Sequence, residues 1–208
     1  MTFTRAGTPH EGMNRPQIHA LGGAAWAVSP NSEAAFAGAL LEGADGLAFI
    51  VEVTRDGVAV ACDDATARAC RLCGEAVSDL RFEDLASVDP FGSGAASEST
   101  GIMALRQVVE RFPDTPVTAI LGESTRPHLE KRGLLSLLRG ADAAVVSDRL
   151  SLLVRCRTLA PELPRYLRIA DPAGAPTFAW EDLVSGFCVS VRAPSDALRE
   201  MASRGRIM

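Results

Sequence analysis

The chain has no apolar run approaching the ~18–20 residues that cross a bilayer, so no membrane-spanning helix is expected. It has little positive charge to offer a polyanion. Lys and Arg number 21 against 26 Asp and Glu, the net charge is −5, and aromatic residues make up only 5%. Nucleic-acid binding needs basic patches and stacking rings, so no nucleic-acid partner is expected. The first 15 residues, Met1 to Arg15, lack the apolar stretch of a signal peptide. Residues 1–16 are read as a flexible N-terminal arm. No G-x-S-x-G is present, and Gly22-Gly23 is too short and too Ala-rich afterwards for a dinucleotide fingerprint.

Paired cysteines are also lacking. Five sit at positions 62, 70, 73, 156 and 188, an odd count without a leader, which points to reduced thiols and a cytoplasmic location. The spacing of Cys62, Cys70 and Cys73 suits a soft metal, but no second C-x-x-C or histidine pair accompanies it. These cysteines are read as fillers of small apolar gaps.

What is present is an ordinary globular composition, 47% hydrophobic and 23% charged over 208 residues. That length supports one substantial core, assigned to residues 17–208, with no internal repeat. Short apolar runs alternate with helical ones, which predicts an α/β fold on parallel strands. Strands are expected at 17–22, 47–54, 58–62, 117–121, 143–147, 165–169 and 186–191. Helices are expected at 32–41, 101–111 (capped by Ser99 or Thr100), 126–139, 149–159, 180–184 and 195–204. Asn31 or Ser32 suits an N-cap, and Gly43 a helix stop. Gly133 weakens the 126–139 helix by roughly 1 kcal/mol relative to Ala. The Gly- and Ser-rich segment 89–99 is read as a loop.

The most specific pattern is Gly43-Ala44-Asp45-Gly46, an apolar run, then Thr54-Arg55-Asp56-Gly57-Val58. It resembles the signature of the glycerophosphodiester phosphodiesterase family, GADG-[IL]-E-x-D-V-x-x-T-x-D-G-x-x-V-x-x-H-D. Asp64, Thr66, Val77, Asp79 and Leu80 continue the likeness. It loosens through Phe112–Val117, Ser147-Asp148 and Leu159-Ala160-Pro161. The resemblance implies a (β/α)8 TIM barrel with its site at the strands' C-terminal ends. The family begins its seventh strand about where this sequence ends, so an incomplete barrel is expected, with an open edge covered by the arm, a second copy or a protein partner, or a sheet that closes with fewer strands.

The resemblance also locates what is lost. Family members use a divalent cation such as Mg²⁺ or Ca²⁺, a histidine pair and basic groups on the phosphate. Here the acidic pair falls on Ala48 and Ile50, and the later E-x-K on Ile120 and Gly122. One histidine position reads Leu21, the other Asp63, and the phosphate-binding arginine reads Gly22. A hard cation needs several oxygen ligands, which these side chains do not supply. No cofactor is therefore expected. Each missing general acid or base typically costs 10²–10⁴-fold in rate.

The leading expectation is a catalytically degenerate relative kept as a binding or assembly module. The alternative is an enzyme with a rebuilt site. Strand alternation puts His19 on the face of Leu21 and Glu52 on the face of Ile50, while Asp63 and Asp64 end the following strand. These four are the candidate pocket, in which a carboxylate would orient His19. Trp26, in the first βα loop, is the candidate plug or stacking platform over the mouth. His10 and His128 are read as surface residues. A third reading makes the chain half of a self-associated barrel.

Overall fold

Consecutive apolar runs pair side by side to build the sheet. The computed structural model describes residues 2–3, 17–24, 28–69, 76–87, 101–130, 133–169 and 182–189. Its strands are β1 (Thr2–Phe3), β2 (Gln17–Leu21), β3 (Gly46–Val53), β4 (Ala59–Ala61), β5 (Val117–Leu121), β6 (Ala143–Ser147), β7 (Arg165–Ile169) and β8 (Gly186–Val189). From β2 the order β2-β3-β5-β6-β7-β8 is wholly parallel, and β4 folds back antiparallel on β3. Helices α1 (Glu33–Leu41), α2 (Asp64–Ala69), α3 (Phe82–Ala86), α4 (Leu105–Arg111), α5 (Leu134–Arg139) and α6 (Leu150–Leu159) lie between them.

Both faces of this sheet are buried, as parallel sheets require. One set of alternate residues, including Leu47, Phe49, Val117, Val145 and Phe187, packs outward on helix residues Phe36, Leu105, Leu134 and Leu152. The other set, Ala48, Ile120, Ala144, Val146, Tyr166 and Cys188, with Ile50 against it, forms an inner cluster. The outer set is the larger and carries most of the apolar burial, at about 1.5–3 kcal/mol for each large side chain. A third cluster, around Val60, Val77, Leu85 and Ile102, roofs the β4 excursion.

The arc is an incomplete TIM barrel. Among the described residues β8 and β2 are its two ends and do not pair. Thr2 and Phe3 run antiparallel to Ile18 and Gln17, on the side of β2 away from β3. Part of the arm thus lies along the open edge; residues 4–16 are outside the described set.

Several expected boundaries move. The helix expected from 101 begins at Leu105, because Ile102 and Ala104 bridge to Ser32 and Val60 instead. Gln107 Oε1 accepts from the Ala104 N–H to cap it; Ser99 and Thr100 are outside the described residues. The helix expected at 126–139 is two pieces, a 3-10 helix at Glu123–His128 and α5, parted by Gly133 at φ +67°. Residues 182–184 form a turn, not the end of a helix. The expected loop 89–99 and helix 195–204 are outside the described residues.

Candidate functional site

Strand alternation decides what reaches the mouth. On β3 the inward residues are Ala48, Ile50 and, at the C-terminal end, Glu52; Ile120 leads to Gly122, Val146 to Asp148, and Tyr166 to Arg168. The last residue of each series lines a cavity of about 410 Å³, floored by Ile50, Ile120 and Leu121. Asp63, Asp64 and Arg68 close one side and Arg149 the other.

Glu52 is half-buried and accepts a hydrogen bond from the Ser124 hydroxyl. Burial raises its carboxyl above the ordinary range, the Ser124 bond works against that, and the neighbouring Asp64 and Asp63 charges raise it further. The two aspartates are largely engaged by the fold. Asp63 Oδ1 accepts from the Thr66 N–H at 2.7 Å, capping α2. Asp64 Oδ1 accepts from the Val77 N–H at 2.9 Å, and its Oδ2 lies 3.8 Å from Arg68. Across the cavity Arg149 and Arg168 each lie 3.7 Å from the single carboxylate of Asp148.

His19 does not join this group. It is 4% exposed at the opposite end of the strands, with Nδ1 3.0 Å from the Thr118 hydroxyl, in a crevice beside Gln17, Pro116 and Asp142. Its register partner on β3 is Gly46. Glu52 is six residues further along, on the order of 20 Å at ~3.3 Å per residue. The expected four-residue pocket is therefore corrected to Glu52, Asp63 and Asp64. Trp26 is outside the described residues, as are Cys70, Cys73 and His10, while Cys62 is buried beside Val60 and Ala67.

The residues missed in the sequence are Arg68, Ser124, Asp148, Arg149 and Arg168. Alternation from Val146 and from the strand Arg165–Ile169 was the signal that put Asp148 and Arg168 inward. Arg68 and Ser124 approach through helical segments, and no strand pattern announces them.

A hard divalent cation does not fit the positions where the family likeness expects it. Ala48 is fully buried, Ile120 is 4% exposed, and Ile50 packs with them in the inner cluster. None offers an oxygen. Among the described residues no group of three His, Cys, Asp or Glu side chains is placed to hold a metal.

The sequence profile of the glycerophosphoryl diester phosphodiesterase family matches residues 22–201. The chain belongs to that family. A search of curated proteins found no match. Among solved structures, an Oleispira antarctica phosphodiesterase in complex with the product sn-glycerol-3-phosphate superposes with TM-score 0.78 at 17% identity, covering 92% of this chain and 83% of that one. A glycerophosphodiester phosphodiesterase from Agrobacterium tumefaciens gives 0.69 at 19%, covering 92% and 85%. One from Thermotoga maritima gives 0.65 at 17%, covering 91% and 83%. At such identities the likeness is one of fold. No helix among the described residues is long and apolar enough to cross a membrane.

Proposed function

We propose that this member of the family no longer hydrolyses phosphodiesters and serves as a binding or assembly module. The observation that carries the reading is the inner cluster itself. Where the family likeness expects carboxylates, Ala48, Ile50 and Ile120 pack with Val146 and Tyr166. Burying unpaired carboxylates in such a layer is costly, whereas alkyl groups there contribute packing. Without oxygen ligands the family's cation has no seat, and without an imidazole at the mouth there is no matching proton shuttle.

A contact with a second copy or a protein partner at the open edge is part of the same proposal. Ile18, on β2 beside the two-residue strand β1, is 49% exposed at this edge. Edges of this kind invite pairing. Light scattering is expected to show concentration-dependent association, and a strict monomer at all concentrations counts against the assembly role. A cytoplasmic setting suits the buried thiols of Cys62, Cys156 and Cys188.

The test of lost catalysis is hydrolysis of glycerophosphocholine and of a chromogenic phosphodiester with Mg²⁺, Ca²⁺ or Mn²⁺. No turnover above background is expected. Turnover that vanishes in Glu52→Gln or Asp64→Asn overturns the reading.

A further inference from the structure

The mouth cavity is electrically two-sided. On the β6–β7 wall, Arg149 and Arg168 share one carboxylate, Asp148, at 3.7 Å each, so among the described residues there are two guanidinium charges to one carboxylate. On the β3–α2 wall, Glu52, Asp63 and Asp64 face, among the described residues, one cation, Arg68, which lies 3.8 Å from Asp64. The ion pairs are long and the arginine side chains half-exposed, 62% for Arg149 and 43% for Arg168. They are free to turn toward an incoming group. Neither wall neutralises the other across the cavity, because two further strands separate β3 from β7.

We propose that this cavity binds a small zwitterion, its oxyanion between Arg149 and Arg168 and its primary ammonium against Glu52 and Asp64. The inference rests on the non-hydrolytic reading, and it names the ligand class that the retained mouth takes. None of these residues occupies a position where the family likeness places a phosphate or metal group; Gly22, Ala48, Ile50, Ile120 and Gly122 hold those. The cavity, about 410 Å³, limits the ligand to a small molecule. A guanidinium pair accepts phosphate or carboxylate oxygens equally by geometry. The ammonium end favours a donor with N–H groups, because carboxylates accept hydrogen bonds and a quaternary nitrogen has none to give. Glu52 suits such a donor: burial disfavours its anion, the Ser124 bond favours it, and an ammonium would offset the repulsion from Asp64 and Asp63.

The experiment is calorimetric titration of the full chain, in metal-free buffer, with O-phosphoethanolamine and γ-aminobutyrate, and with inorganic phosphate and ethanolamine as half-ligands. At least one zwitterion is expected to bind tenfold or more tightly than either half-ligand, and the stronger of the two identifies the oxyanion. Arg168→Gln and Arg149→Gln should each weaken it at least tenfold. Glu52→Gln should weaken the zwitterion similarly and leave phosphate unchanged. Thermal melts confirm that each variant folds, and any one of the three that does so suffices for comparison. Phosphate binding as tightly as the zwitterions, or no zwitterion binding at all, overturns the proposal. Neither outcome touches the non-hydrolytic reading, which the hydrolysis assay tests separately.

Discussion

At the scale of single residues, the family motif persists where it shapes the backbone and has gone where it did chemistry. Asp45 Oδ2 accepts from the Ile18 N–H at 2.9 Å, tying β2 to the start of β3. A Cβ on Gly46 would meet Pro116 O at 2.6 Å and the His19 ring at 2.8 Å. Gly46→Ala is expected to destabilise the fold by about 1–3 kcal/mol, read by urea denaturation, since neither neighbour can withdraw freely. Gly22, standing where the family likeness has arginine, sits at φ +75°. Restoring an arginine would force a side chain into the left-handed region, at a cost of about 1–2 kcal/mol. The loss of charge there is built into the backbone. His19→Ala should lower stability through the lost Thr118 contact and leave ligand binding at the mouth unchanged; altered binding would place His19 in the site after all. Glu52 supplies a pH signature. Its folded carboxyl lies above the ordinary value of 4.5, so its contribution to stability is present below that value and lost as pH rises through the raised one. Glu52→Gln should therefore gain stability relative to the parent as pH rises from the ordinary carboxyl value through the raised one. A pH-independent difference contradicts the buried-carboxyl account.

At the scale of elements, local chemistry made much of the chain legible. The strands 117–121, 143–147 and 165–169 stand where their apolar runs place them. Ser32 caps α1 by accepting from the Ala35 N–H, and Gly43 adopts φ +96° just past its end. Thr54 and Asp56 close the turn before Gly57 through a 2.6 Å side-chain bond, and Asp56 also accepts from the Phe82 N–H. What was not legible depended on pairing between distant segments. Residues 101–104 have helical composition, but bridges to Ser32 and Val60 hold them extended. Gly133 reads as a weak point inside one helix, yet its φ of +67° makes it the break between two. Gly133→Ala should cost about 1 kcal/mol, because Ala resists that φ. The same limit applied to the site. Alternation placed Glu52 at the mouth correctly, whereas His19 required knowing how far along the barrel each rung lies. Asp63 looked like a replaced histidine and is a helix cap; Asp63→Ala should lose about 1 kcal/mol. A larger loss of ligand affinity than of stability would show that it touches ligand as well.

At the scale of the whole molecule, the parallel arc keeps the family's scaffold while the layer beneath its mouth has become apolar. Ala48, Ile50 and Ile120 seal the interior below the cavity, and the charged ring of Glu52, Asp148, Arg149 and Arg168 stands one rung above it. The carboxylates of that ring and its neighbours are divided between two walls and committed in part to α2 and the arginines, which supports the proposed loss of cation-dependent chemistry. The open side between β8 and β2, edged by Thr2 and Phe3, gives the arc a second surface distinct from the mouth. The proposed binding at the mouth and the proposed association at the edge fall on separate surfaces, and an Ile18→Ser variant should reduce association while leaving Arg168-dependent binding intact. The most direct test of the whole account is anomalous diffraction from crystals soaked in Mn²⁺. The account predicts no ion coordinated by two or more side chains at the strand ends near residues 21, 50, 63 and 120. An ordered Mn²⁺ held there by Glu52 with Asp63 or Asp64, beside an oxyanion, would contradict it.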